Sequence, residues 1–205
     1  MTKSEDTAAR GGRREEILSV ATSLFAVHGV EAVTTRQIAR AVGISQPSIY
    51  AHFASVQQIR DELSTRAFAL LERQLATAHD SEPAEALRRM IQSYLDFGFA
   101  NPQAYRIAFM LEHPKTGSAP HEGHDMEGFA AVDHPGPRAF GHFMQTMARA
   151  RPDLGADMRL MRTQCLWASL HGLMALLMAL PDFPWADRDA LVAEHSRLAF
   201  QLAMI

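Results

Sequence analysis

The sequence predicts an all-α protein of about nine helices, a three-helix unit followed by a larger helical bundle. Three observations lead there. Apolar residues recur at three- and four-residue spacing through most of the chain. No alternating apolar–polar run of strand length occurs. Residues 34–53, TTRQIARAVGISQPSIYAHF, read as two short helices joined by a tight turn.

The elements follow in chain order. Residues 1–12 are polar, contain Gly11-Gly12 and are expected to form a flexible arm, with Arg10 and the neighbouring Arg13 and Arg14 free to reach a phosphate. A first helix runs from Arg13 to His28 on Ile17, Ala21, Leu24 and Phe25, and Gly29 ends it. Thr34 and Gln37 then have the spacing of a capping box, in which each side chain satisfies an open amide of the other. Ile38, Ala39 and Val42 make one apolar face, and Gly43 is placed to stop that helix in a left-handed conformation. Ser45 is the N-cap of the next helix and Pro47 fits its first turn. Ile49 and Phe53, four apart, face inward, leaving Gln46, Ser48, Tyr50 and His52 to point elsewhere.

Two short helices joined this way form a helix-turn-helix, whose second helix can enter a DNA major groove. Gln46 suits an adenine edge and Pro47 a thymine methyl. Tyr50 and His52 suit phosphates, Ser48 also points away from the inner face, and Thr34 and Arg36 lie near the DNA backbone. These seven are the candidate DNA-binding residues, in a domain spanning 13–55.

The remainder, 56–205, is read as one helical body. A long helix without an obvious break covers Val56 to His79, and others cover Pro83–Ala100 and Gln103–Glu112 across the Asn101-Pro102 break. Residues 113–136 are rich in Pro, Gly, His and acid and read as a loop. Three helices follow, at Pro137–Ala150, Ala156–Leu180 and Asp187–Met204, the second apolar nearly all round.

Charge is divided unevenly. Net charge is −3, but residues 1–66 carry eight Lys/Arg against seven Asp/Glu, and residues 67–205 twelve against sixteen. Between Ala32 and Arg60 stand three arginines and no acid, so the helix-turn-helix is locally positive on an acidic body. The single cysteine, Cys165, excludes an internal disulfide framework. Without an apolar N-terminal signal segment the expected location is cytoplasmic. The longest apolar tract, residues 165–181, is shorter than the roughly twenty residues a membrane span needs.

The run ILSVATSLFAVHGVEAVTTRQIARAVGISQPSIYAHFAS resembles the N-terminal domain of the tetracycline-repressor family of bacterial transcription regulators. Trp167 followed by Leu170-His171-Gly172 is similar to a C-terminal domain type of that family with a Trp-His-Gly signature. Two departures stand out. Pro47 occupies a place where the family usually has a small residue, and Val56-Gln57 replace a Lys-Glu pair. The Lys of that pair commonly contacts a phosphate in the family, so its absence implies weaker non-specific affinity.

The resemblance implies a dimeric DNA-binding repressor, released from a palindromic operator in double-stranded DNA by a small, largely apolar effector. The body would then serve ligand binding and dimerisation. Candidate ligand contacts are Tyr94, Phe97, Tyr105, Phe109, Phe143, Met147, Trp167 and His171, on helices that would face one another. Among these, Tyr94, Tyr105 and His171 can orient a polar ligand atom. Candidate dimer residues are Ala168, Gly172, Ala175 and Ala179, a small-residue stripe, with Leu191, Leu198 and Leu202 opposite. No cofactor and no metal is expected. The cluster His113, His121, Glu122, His124, Asp125 and His134 sits in the Pro/Gly-rich loop without a partner cysteine and reads as solvated.

Two alternatives remain on sequence grounds: a ligand-binding dimer without DNA function, and a small all-α enzyme. The enzyme reading lacks a site. Cys165 and His171 are six apart on one helix, roughly 600° around it and so on different faces. Asp96 is the main acid within the apolar helices.

Overall fold

The structure is a computed structural model that describes residues 3–29, 32–110 and 133–205. Among the described residues there are nine helices and no strand. In chain order they are α1 (Lys3–His28), α2 (Thr35–Val42), α3 (Gln46–Tyr50), α4 (Val56–Leu75), α5 (Pro83–Ala100), α6 (Pro102–Phe109), α7 (Pro135–Ala150), α8 (Ala156–Ala179) and α9 (Arg188–Met204).

The chain forms two compact units. The first comprises residues through Ala67 together with α6 from Arg106 onward, and the second the rest. The sequence reading put this division after residue 55. The shift has a plain cause: Ile59 and Leu63 on α4, and Ile107 on α6, are buried in the same core as the three N-terminal helices.

Within the first unit the core consists of Ile17, Leu18, Ala21 and Phe25 from α1, Ile38 and Ala39 from α2, Ile49 from α3, and Val33 and Phe53 from the connections. Thr34 caps α2 as expected: its hydroxyl accepts from the Gln37 amide at 3.3 Å and its own amide donates to Gln37 Oε1 at 2.8 Å. Gly43 ends α2 at φ 79°, a left-handed conformation that any side chain would strain. Ser45 accepts from the Ser48 amide at 3.4 Å and starts α3. Val56, which stands where a phosphate-contacting Lys was expected by resemblance, packs against this core instead.

Ion pairs tie α1 to α4. Arg66 bonds Glu15 at 2.6 and 2.7 Å and Glu62 at 2.7 Å. Arg14 pairs with Glu62 while its guanidinium lies 4.1 Å over the Phe53 ring. Each pair is half-exposed and contributes little alone; together they fix the angle at which α1 meets α4.

The second unit packs α5 against α7, α8 and α9. Leu87, Met90, Ile91, Tyr94, Leu95 and Phe97 of α5 are all at most 1% exposed, so α5 is its central helix. At Gly98 the helices come close: a Cβ there would meet Met174 Cε of α8 at 2.5 Å.

Two expectations are corrected. The arm expected over residues 1–12 is helical from Lys3, where α1 begins. The loop over 113–136 lies outside the described residues for most of its length, and with it His113, His121, Glu122, His124 and Asp125. His134 is described and is not simply solvated. Its Nδ1 accepts from the Gly136 amide at 3.0 Å, capping α7, and its ring meets Phe68 edge-on at 5.6 Å.

Gly43→Ala is expected to destabilise the protein by about 1 kcal/mol through its left-handed backbone, and Thr34→Ala by a similar amount through loss of the cap. Gly141→Ala, in a helix interior where a Cβ meets nothing within 4 Å, should hold or raise stability. Thermal denaturation of the three variants checks the contrast.

Candidate nucleic-acid interface and aromatic cluster

In the first unit, α3 turns one face inward through Ile49 and the other to water. Gln46 and Pro47 are exposed and Tyr50 is 52% exposed, too open to serve as part of the core. Thr34 and Arg36 are exposed as well, whereas Ser48 and His52 are half-buried. The seven predicted positions thus lie on α3, just after it and at the start of α2, with His52 and Ser48 the least accessible.

Gln46 and Tyr50 are not independent. Gln46 Nε2 donates to Thr35 Oγ1 at 3.3 Å and to the Tyr50 hydroxyl at 3.4 Å, and the Thr35 and Tyr50 hydroxyls stand 3.5 Å apart. Hydrogen bonds from Thr35 and Gln46 hold the Tyr50 phenol below the usual tyrosine range. Thr35 was not among the predicted residues. As the first residue of α2 it offered no pattern of its own; only the crossing of α2 and α3 brings it to Gln46.

The predicted ligand contacts divide. Tyr94, Phe97, Tyr105, Phe143 and Met147 are at most 2% exposed, while Trp167 and His171 are half-buried. All seven belong to the second unit; Phe109, half-buried, belongs to the first. The Tyr94 ring stands edge-on to Tyr105 at 5.9 Å and to Phe143 at 5.8 Å. Tyr105 stacks on His171 at 5.7 Å, and Trp167 lies 6.1 Å from His171 and 6.0 Å from Phe140.

A chain of hydrogen bonds runs through these rings. Tyr94 and Tyr105 hydroxyls are 2.9 Å apart and Tyr105 Oη is 2.7 Å from His171 Nδ1. Tyr94 also bonds the Trp167 side chain, which can only donate. With Trp167 donating to Tyr94, one direction uses every hydrogen: Tyr94 donates to Tyr105, and Tyr105 to His171 Nδ1. That direction leaves the His171 proton on Nε2. Burial lowers the His171 pKa, in keeping with a neutral ring that accepts.

Other groups proposed as chemical candidates are placed apart. Cys165 is exposed, and Asp96 is exposed and bonded by Gln92 at 2.8 Å. His195 Nε2 lies 3.0 Å from Ser169 Oγ and 3.2 Å from the Ser169 carbonyl. A ring nitrogen that donates to that carbonyl cannot also take a proton from the hydroxyl, so the contact ties α8 to α9.

The dimer candidates occupy one open side of α8 and α9. Ala168 and Ala179 are exposed, Leu198 is 44% and Leu202 60% exposed, and Gly172, Ala175 and Leu191 are half-buried.

The chain has three tyrosines, and their environments predict a split titration. Burial is the first cause that pushes Tyr94 and Tyr105 far above the ordinary value, while Tyr50 is lowered. Ultraviolet titration should show one phenol ionising below about 10 in the folded protein. The two buried phenols should ionise only as helicity is lost. Their raised folded pKa means the stability they contribute is full below about pH 10, where unfolded phenols begin to ionise, and falls as pH rises beyond it.

Residues 17–63 match the model for bacterial regulatory proteins of the tetR family, and residues 87–197 that for the tetracyclin repressor-like C-terminal domain, a span that includes Trp167 and His171. Among characterised relatives, the HTH-type transcriptional repressor KstR2 of Rhodococcus jostii is 46% identical over 59 residues, 29% of each chain. The nucleoid occlusion factor SlmA of an Enterobacter species is 33% identical over 124 residues, 54% of this chain and 60% of that protein. The chain therefore spans under two thirds of the length of each. A tetR-family regulatory protein from Rhodococcus RHA1 has the same fold, with TM-score 0.68 and 17% identity over 93% of this chain and 96% of that one. The regulator PfmR of Thermus thermophilus does too, with TM-score 0.61 and 21% identity over 92% and 96%. The longer of the two family matches covers more than half of the sequence, and the chain belongs to the tetracycline-repressor family of bacterial DNA-binding transcriptional regulators.

Proposed function

We propose that this regulator is a cytoplasmic repressor that binds a palindromic operator in double-stranded DNA as a homodimer and leaves it when a small, largely apolar effector binds the body. The observation that carries the reading is the exposed polar face of a capped α3 in a chain of this family. Local positive charge supports the docking of phosphates there, and the similarity to the transcriptional repressor KstR2 supports the sign of regulation. Among the described residues no helix is long and apolar enough to cross a membrane.

In this reading residues 13–55 supply DNA contact and residues 56–205 supply ligand binding and dimerisation. Gln46 reads a base edge, Pro47 packs on a thymine methyl, and Thr34, Arg36, Ser48, Tyr50 and His52 hold the backbone. The apolar strip of α8 and α9, open to water on a single chain, is closed by a second copy. One helix-turn-helix offers little readable surface, and pairing two supplies a spacing of about one DNA turn or a multiple.

The effector site is the Tyr94–Tyr105–His171 cluster. Its packed state favours the DNA-binding form, and an effector that inserts among these rings favours another in proportion to its differential affinity for the two. The body binds its ligand and does not transform it.

Selection from random or genomic DNA at low salt should enrich an inverted repeat; no enrichment over random sequence would overturn the reading. On the enriched site, Gln46→Ala should cost about 1 kcal/mol, roughly fivefold in Kd, and flatten base preference at one position of each half-site. Substituting Asp at both Leu198 and Leu202 should give a folded monomer by sedimentation and abolish tight operator binding.

A further inference from the structure

Helices α5 and α9 leave a groove between them in the second unit that none of the functions above uses. It is lined by Glu85, Arg88, Arg89, Gln92, Arg197 and Phe200, with about 440 Å³ of space, and Ile91 and Ala193 contribute to its apolar floor. Three guanidiniums therefore meet one carboxylate around an apolar base, in the unit of the protein whose overall balance is acidic.

The arginines are not equally engaged. Arg89 is held by Asp80 at 3.0 Å, and Arg197 by Glu194 at 2.7 and 2.5 Å and by Gln201 at 2.8 Å. Arg88 differs. Its guanidinium carbon lies 3.6 Å from the centre of the Phe200 ring, which fixes the plane of the group. Among the described residues it makes an ion pair with Glu85 at 3.8 Å, beyond hydrogen-bonding distance, and no hydrogen bond. A guanidinium whose plane is set by stacking and whose N–H groups lack a protein acceptor is prepared for a bidentate oxyanion. Arg89 and Arg197 stand at the same groove with their positions already set by their own acids.

The groove is also separate from the surface assigned to the dimer. Phe200 lies roughly 180° around α9 from Leu191 and 200° from Leu198 and Leu202 at 100° per residue. Pairing through those leucines leaves the groove open. None of its lining residues belongs to the tyrosine cluster.

We infer that this groove is a second small-molecule site, for a compact organic anion: a carboxylate or phosphate that takes the Arg88 N–H groups, with its apolar body lying along the groove beside the stacked Arg88 and Phe200. The inference does not depend on which DNA the protein binds.

Phenyl phosphate and benzoate, with phenol as the uncharged control, test it on the full chain by isothermal titration calorimetry. Saturable binding of at least one anion, with none for phenol, is expected; which of the two binds more tightly assigns phosphate or carboxylate. Arg88→Gln and Arg197→Gln, half-exposed positions that should leave the circular dichroism spectrum and Tm unchanged, should each weaken binding about tenfold, as loss of a charge-assisted hydrogen bond does. His171→Ala should leave it unchanged. The inference is overturned if the wild-type protein shows no saturable binding of either anion, if phenol binds as well, if Arg88→Gln and Arg197→Gln both bind like the wild type, or if His171→Ala alone removes binding.

Discussion

Two phenol oxygens buried in an apolar bundle impose the strongest constraint on the second unit. Each must find a partner, because an unsatisfied buried hydroxyl costs about 1–3 kcal/mol. Tyr94 and Tyr105 solve this jointly, by bonding each other and then reaching outward to Trp167 and His171. The solution fixes the distance between α5 and α6 and the rotation of α8. Gly98 and Met174 let α5 and α8 approach closely enough for it to close. A bundle of purely apolar side chains could slide by a turn with small loss; one that must keep three hydrogen bonds in line cannot. The unit thereby gains a single register, and any ligand entering it must exchange contacts with polar groups as well as displace apolar volume.

The first unit is ordered by a different device. Its core is small, and its helices are short enough that their ends matter as much as their faces: α2 has eight residues and α3 five. Thr34, Gly43 and Ser45 satisfy those ends, and the Arg66–Glu15–Glu62 lattice with Arg14 orients α1 against α4. Short capped helices leave most side chains of α3 on the outside. That same economy of burial makes α3 available to a partner surface.

What the sequence made legible follows from the range of each signal. Caps and turns depend on residues three or four apart, so the Thr34–Gln37 box, the Gly43 stop and the Ser45 cap could be read directly. Helix faces could be read from their period, and with them the burial of Tyr94, Phe97, Phe143 and Met147. Contacts between elements could not. Nothing local marks Thr35 as the partner of Gln46, or Phe200 as the seat of Arg88, because those pairs are set by helix crossing. The extent of the first core was hidden for the same reason: Ile59, Leu63 and Ile107 have ordinary helical spacing, and only assembly shows which core takes them. Phe109 was grouped with the tyrosines as lying on a facing helix, and it falls in the first unit.

The contact between Gln46 and Thr35 carries a consequence for how operator preference can drift. Gln46 Nε2 is engaged by Thr35 and Tyr50, so if α3 enters the groove as proposed, the open atom of Gln46 is its carbonyl oxygen, an acceptor that matches the amino groups of adenine and cytosine. Replacing Thr35 by a residue without a hydroxyl would free one amide hydrogen and restore the two-way pairing of glutamine with adenine. A position outside the recognition helix thus sets the donor–acceptor character of a position inside it. On the proposed reading, divergence between related regulators could pass through Thr35 first, altering which bases Gln46 accepts before Gln46 itself changes.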